Sequence, residues 1–252
     1  MKLTPEERAE RRAAFRGMTV PEKLEYIFAY YKLPLVLLLI AAIVLGSVLT
    51  RLITRKNELL YLGFINVSAG ETLQASLTDG YVDAVGADPR KNEVYVYAGL
   101  YVSDAPAEEN HEYAYASKLK VFASVNAKQM DVVLLNREAY DIFSHSGYLA
   151  ELTGLLQSED PALISQAEAY FSENEIILED NAIEMQLGTA DTYEAVTAAS
   201  VNGLEISGAP FFRDAGFHEP VYLCVIANTP RPSEAAAYIR YILSDEGNNG
   251  RR

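Results

Sequence analysis

The chain has one cysteine, three histidines and no tryptophan. The single cysteine, Cys224, excludes an intrachain disulfide, and no cysteine lies near the amino-terminal apolar stretch to carry a lipid anchor. The histidines at 111, 145 and 218 are far apart and lack the spacing of metal ligands on one helix. We therefore expect neither a metal site nor a bound cofactor.

Basic residues are scarce in most of the chain. Residues 1–32 carry seven Lys and Arg against five Asp and Glu, whereas residues 57–252 carry eleven against thirty. A domain this acidic repels the phosphates of nucleic acids, so we expect no nucleic-acid partner. The acidity is typical of a surface that keeps the domain soluble.

Common enzyme motifs are also missing. The sequence has no Gly-x-Ser-x-Gly, no P-loop, and "NVSAGE" instead of a Gly-x-Gly-x-x-Gly after the first apolar run. The segment "EDNAIE" (179–184) clusters Glu179, Asp180 and Glu184, which fits either a carboxylate pair for glycoside hydrolysis or an acidic loop. We favour the loop and expect no enzyme.

The longest apolar run is "LPLVLLLIAAIVLGSVLT" at 33–50. Its eighteen residues carry no charge, and twelve are Leu, Ile or Val, which predicts a transmembrane helix. Basic residues are more numerous in the preceding segment, which predicts a cytoplasmic amino terminus and an extracytoplasmic main domain. A cleavable signal peptide is the alternative, although its apolar stretch usually covers only about 7–15 residues.

The flanking segments complete the expected organisation. Residues 1–32 predict a cytoplasmic tail with a juxtamembrane helix, because "TVPE" (19–22) has a Thr cap followed by Pro and Glu. Residues 57–245 predict one extracytoplasmic domain, and residues 246–252 a flexible tail.

The outer domain alternates short apolar runs with amphipathic segments, which predicts an α/β fold with a mostly parallel sheet and flanking helices. "LLYLGFINV" (59–67) is typical of a buried strand, as are 131–135 and 220–228. The strict alternation over 94–102 predicts an edge strand whose one face carries Tyr95, Tyr97 and Tyr101. The segment 111–130 predicts a helix in which one stripe contains Tyr115, Leu119, Phe122 and Met130.

Polar residues follow three of the predicted strands. Ligands of open α/β sheets bind beyond the carboxyl ends of parallel strands, where helix amino termini present free N–H groups. We therefore expect these residues to converge at one edge of the sheet, although each also suits an ordinary turn or helix cap. Together with Asp180 of the acidic loop, the candidate ligand residues are Asn66, Ser68, Asn136, Arg137, Asn228 and Thr229.

The element order resembles that of type 2 extracellular solute-binding proteins. "DVVLLNREAYDIFSHSGYLAELTGLL" (131–156) resembles the segment that leaves their first lobe, and "PVYLCVIANTPRPSEAAAYIRYIL" (220–243) resembles the segment that returns to it. The resemblance covers about residues 59–245. Only residues 157–219 remain for the second lobe, so it is expected to be stunted, and sugar-stacking tryptophan is missing.

Two functions from different classes agree with this sequence. The first is a membrane-anchored extracytoplasmic protein that binds a small solute or peptide, serving a transporter or sensor. The second is a binding fold that has lost its ligand and acts as a protein–protein interaction module in the cell envelope. A polar cleft flanked by Asn66, Asn136 and Asn228 would favour the first. Apolar residues filling that cleft, with Tyr95, Tyr97 and Tyr101 forming an exposed patch, would favour the second.

Overall fold

The structure is a computed structural model that describes residues 17–54, 56–104, 111–213 and 215–244. It divides into two compact units, Met1–Arg55 and Lys56–Arg252. The expected flexible tail at 246–252 and the first half of the expected cytoplasmic tail lie outside the described residues.

The described part of the first unit contains a long helix, α1, at Val20–Thr54. It begins at the predicted cap, where Glu22 accepts hydrogen bonds from the backbone N–H of Thr19 (2.7 Å) and from its hydroxyl (2.8 Å). The helix continues without a break through residues 33–50, and many apolar side chains of that stretch are exposed. Over the described residues, no helix is both long and apolar enough to cross a membrane. The transmembrane prediction therefore rests on the sequence.

The second unit is built on a six-stranded sheet of order β2-β1-β3-β6-β5-β4. The α-helices in the described part of this unit are α2 (Glu71–Ala84), α3 (His111–Asn126), α4 (Arg137–His145), α5 (Leu152–Glu159), α6 (Ile164–Ala167), α7 (Ala182–Gln186) and, after the last strand, α8 (Pro232–Leu243). The strands are β1 (Asn57–Ile65), β2 (Asn92–Leu100), β3 (Val132–Leu135), β4 (Phe171–Asp180), β5 (Ala195–Glu205) and β6 (Tyr222–Val225). The predicted α/β class is confirmed.

The sheet is parallel on one side and antiparallel on the other. β1 pairs in parallel with β2 and with β3. β6 runs antiparallel to β3, and the pairs β5–β6 and β4–β5 are antiparallel as well. β2 is an edge strand, as its alternating pattern predicts.

Helices cover both faces of the sheet, since its central strands are apolar on both sides. One core cluster joins Leu60, Leu62 and Val132 to helices α2, α5 and α8. The other joins Ile65, Val133 and Leu135 to helices α3 and α4. The successive residues Val132 to Leu135 belong alternately to the two clusters, as the period of two in a strand requires.

The expected stunted second lobe is not a separate unit. Residues 157–219 contribute β4 and β5, which extend the same sheet. β5 is joined to β6 through the pairs Leu204–Leu223 and Glu205–Tyr222. The long β4–β5 hairpin therefore lies where the cleft and second lobe were expected.

Candidate functional site

The Asn66 side chain is held by hydrogen bonds within the fold. Its side chain donates to the carbonyl of Val102 (2.7 Å) and accepts from the N–H of Val102 (2.9 Å). Its φ of 57° is in the left-handed region, which asparagine tolerates better than most residues. Asn66 thus fastens the end of β1 to the segment after β2, and both polar atoms of its side chain are occupied.

Asn136 caps helix α4. Its side-chain oxygen accepts a hydrogen bond from the backbone N–H of Ala139 (3.0 Å), which satisfies one of the unpaired donors at the helix start. Ser68 lies exposed on the loop before α2, whose cap is Gly70. The ordinary capping role therefore accounts for Asn136.

Arg137 is partly held by neighbours on and beside α4. Its guanidinium contacts Asp141 at 3.0 Å and lies over the rings of Tyr140 and Tyr222, at 5.7 and 5.8 Å from their centroids. Hydrogen bonds with Tyr222 and then Asp141 raise the pKa of Arg137, so it stays cationic at all physiological pH values.

Asn228 and Thr229 are at the wrong edge of the sheet for the predicted site. Since β6 is antiparallel to β3, its carboxyl end lies beside the start of β3 and not beside Asn136. Asn228 donates to the carbonyl of Val125 (2.9 Å), and the Thr229 hydroxyl donates to Asp131. The prediction of one converging ligand site is therefore wrong for these two residues.

Asp180 lies at a third place, the far end of β4. Its carboxylate accepts from the N–H of Ala182 (3.2 Å) and the hydroxyl of Tyr193 (3.1 Å). The predicted ligand residues are thus divided among two sheet edges and the end of a hairpin.

Asp131, which the sequence analysis did not single out, is a fully buried carboxylate. It accepts hydrogen bonds from the N–H of Tyr61 (2.8 Å) and from the Arg231 guanidinium (3.2 Å). The guanidinium lies 4.9 Å from the centre of the Tyr61 ring. These contacts join the middle of β1 and the start of β3 to the segment after β6, so the group is structural.

A polar cavity of about 460 Å³ lies between α4 and the hairpin. It is lined by Arg137, Asp141, His145, Glu173, Asn174, Glu175 and Ala199. Asn174 donates to Asp141 (2.8 Å), which already pairs with Arg137. No group of metal-binding side chains is found among the described residues. The cavity therefore offers mixed charges, partly neutralised by its own ion pair.

Beneath this cavity, a buried hydrogen-bond chain fixes α4 to the hairpin. The Tyr140 hydroxyl donates to the Asn202 side chain (2.8 Å), and Asn202 donates to Ser144 (2.7 Å). Ser144 donates in turn to the carbonyl of Glu175 (2.7 Å). Burial raises the pKa of Tyr140 well above its usual value, so this phenol remains a donor.

An apolar groove of about 260 Å³ lies between α3 and α4. It is lined by Val102, Tyr115, Lys118, Leu119, Val121, Phe122, Ile142, Phe143, Ser146 and Tyr148, and we call it the α3–α4 groove. Tyr115, Leu119 and Phe122 are 67%, 51% and 54% exposed. A soluble helix normally turns such a stripe towards the core.

The buried face of α3 is made of small residues instead. Ala114, Ser117, Val121, Ser124 and Val125 are its buried residues. Of the stripe named from the sequence, only Met130, which follows the helix, is buried. Small inward residues let α3 lie close to the sheet, and its large apolar side chains then point outward.

The predicted tyrosine face of β2 is partly open. Tyr95 is exposed, Tyr97 and Tyr101 are half-buried, and the rings of Tyr95 and Tyr97 are 5.0 Å apart. Lys120 of α3 lies 5.5 Å from the Tyr97 ring. This patch covers Tyr61 and extends the exposed aromatic surface on this side of the sheet.

A comparison of the chain with protein families, with curated proteins and with solved structures finds no match. The resemblance to type 2 solute-binding proteins therefore stays a prediction from element order.

Proposed function

We propose that residues 56–244 form a protein-interaction module, in which the α3–α4 groove receives an apolar segment of a partner in the cell envelope. The observation that carries this proposal is the outward stripe of Tyr115, Leu119 and Phe122 beside a groove of about 260 Å³. Exposed apolar surface of this kind is typical of interaction sites. We expect this partner to be a transporter or another envelope protein.

The same proposal places the module outside the cytoplasmic membrane. Its support is the uncharged segment 33–50 and the single helix that continues through it. Full-length protein should stay in the membrane pellet after alkaline carbonate washing, and a chain lacking 33–50 should be released. Protease added to intact spheroplasts should digest the module; its survival there would contradict the orientation.

Photo-cross-linking in native membranes tests the groove. A benzophenone amino acid at Leu119 should give a discrete adduct with an identifiable protein, because Leu119 lines the groove. The same probe at the exposed Asp79 of α2 is the control and should give none. Phe122→Asp should abolish the Leu119 adduct. Equal adducts at both positions, or none at Leu119, would contradict a groove-specific partner.

Binding of a small solute is a second candidate, favoured by the polar cavity beside α4. Arg137, one of the predicted ligand residues, lines this cavity. Thermal unfolding against a panel of amino acids, peptides, sugars and nucleosides tests it. A ligand at 100 times its dissociation constant adds about 2.7 kcal/mol to the unfolding free energy. That shift should vanish in Arg137→Ala and persist in Phe122→Asp.

A further inference from the structure

The β4–β5 hairpin ends in a second exposed apolar surface. We call residues 178–196 the hairpin tip; its large exposed side chains are Leu178, Ile183, Met185, Leu187, Tyr193 and Val196. Leu187 is 72% exposed. The tip also carries Glu179, Asp180, Glu184, Asp191 and Glu194 and no Lys or Arg. It is therefore apolar and acidic.

The hairpin tip holds its own shape. Asn181 donates to the carbonyl of Thr192 (2.8 Å) and accepts from the N–H of Glu194 (2.8 Å). The Thr189 hydroxyl donates to the carbonyl of Glu184 (3.1 Å). These bonds use the polar groups internally and leave the apolar side chains outward. A surface ordered in advance loses less conformational entropy on binding.

The α3–α4 groove carries a charge of the opposite sign. Lys118 is the one charged residue in its lining. Helices α3 and α4 together carry three basic and three acidic residues, so the local charge at the groove is that of the Lys118 ammonium group. The charged residues of the hairpin tip, in contrast, are all acidic.

The groove and the tip of one molecule are separated along the hairpin. β4 is hydrogen-bonded to α4 at Asn174 and Glu175. The five further residues to Asp180 extend the strand by about 17 Å at about 3.3 Å per residue. The apolar side chains of the tip are exposed there. A tip that enters a groove therefore enters that of another copy.

We infer that the occupant of the α3–α4 groove is the hairpin tip of a second copy of this chain. The inference rests on the proposed interaction function and names its partner. Both surfaces are apolar, and the one charged residue in the groove lining, Lys118, is opposite in sign to the acidic tip, so their charges and polarity are complementary. Each copy offers both a groove and a tip. Two copies can therefore exchange tips in a closed twofold dimer, or successive copies can join head to tail into rings or open filaments.

Two single substitutions and their mixture test this contact in the full-length chain in detergent. Phe122→Asp damages the groove and leaves the tip intact, whereas Leu187→Asp damages the tip and leaves the groove intact. By light scattering and sedimentation, the wild type should form concentration-dependent assemblies. Each variant alone should be monomeric, with association at least tenfold weaker, because an Asp in an apolar contact has to be desolvated.

The mixture of the two variants tests whether the groove and the tip contact each other. Phe122→Asp still offers a tip and Leu187→Asp still offers a groove, so a 1:1 mixture should form dimers and nothing larger. Val85→Asp, at an exposed apolar residue after α2, is the matched control and should assemble like the wild type. Leu119→Asp and Ile183→Asp form a second pair if either first variant unfolds by circular dichroism.

Other outcomes overturn the inference and separate it from the proposed function. A monomeric wild type, or a mixture that stays monomeric, excludes the groove–tip contact. Assembly lost in Phe122→Asp but retained in Leu187→Asp means that something other than the tip occupies the groove. A different protein cross-linked at Leu119 would support the interaction function while excluding this occupant.

Discussion

At the scale of single residues, Gly203 shows how tightly the hairpin packs on α4. A Cβ added there would lie 2.8 Å from the Tyr140 ring. That ring cannot withdraw, because it stacks on Tyr222 with centroids 4.4 Å apart and its hydroxyl is bonded to Asn202. Gly203→Ala should therefore lower the free energy of unfolding by about 1–3 kcal/mol in urea titrations.

Gly208→Ala is the matched control for this substitution. No atom lies within 4 Å of a Cβ built at Gly208. Its stability should stay within about 0.5 kcal/mol of the wild type. Equal stability of the two alanine variants would mean that Tyr140 is free to move.

Asp131 is a buried carboxylate whose ion pair with Arg231 stabilises the fold. Asp131→Asn replaces one carboxylate oxygen by a donor, which then faces the N–H of Tyr61 or the guanidinium of Arg231. Breaking a buried ion pair from one side costs about 3–5 kcal/mol. Since Arg231 is partly exposed, we expect about 3 kcal/mol, measured by urea unfolding. A loss below about 0.5 kcal/mol would contradict this structural role.

At the scale of elements, the start of α4 depends on one amide. Asn136→Ala removes the acceptor for the N–H of Ala139 and should cost about 1 kcal/mol. Asn136→Asp keeps an acceptor and should retain most of that stability. Ser68→Ala, at the exposed loop before α2, is the control. If Asn136→Ala instead weakened binding without changing stability, a ligand role would replace the capping role.

The sequence identifies most elements but not their directions. Val132 to Leu135 and the run at 220–228 are apolar enough to be recognised as central strands. An apolar run has no polarity along the chain, so nothing in it distinguishes a parallel from an antiparallel neighbour. Because β6 is antiparallel to β3, Asn228 and Thr229 lie at the other edge of the sheet, away from the predicted ligand site.

Helix α3 shows a second limit of periodicity. Its pattern separates the stripe of Tyr115, Leu119 and Phe122 from the face of Ala114, Ser117 and Val121. The usual rule turns the larger apolar stripe inward. In α3 the face of small residues packs against the sheet instead. This orientation is evident only from the packed structure. An apolar stripe opposite a face of Ala and Ser is the signal that could have suggested an outward groove.

At the scale of the whole molecule, buried phenols couple stability to alkaline pH. Burial raises the pKa of Tyr81 to about 12. Between pH of about 10 and 12 the unfolded chain releases this proton while the native chain keeps it. Stability conferred by the neutral phenol is thus complete below pH of about 10 and is lost as the pH rises towards 12.

Tyr81→Phe should make that decline shallower by at most about 1.4 kcal/mol per pH unit, the effect of one proton. The ring keeps its packing on Tyr238, with centroids 4.9 Å apart. Urea unfolding at pH 7 to 11.5 measures the slope, and the two proteins should have the same slope below pH 9. An unchanged slope above pH 10 would exclude Tyr81 as a contributor.

The place of β3 in the sheet also has a consequence for synthesis of the protein. β3 lies at the centre, yet its partner β6 comes late in the chain, where Leu134 pairs with Leu223. While the ribosome makes the intervening residues, β3 presents a free edge whose four residues are all apolar. Open apolar edges recruit other strands. We therefore expect the emerging chain to be prone to aggregation until β6 has been synthesised.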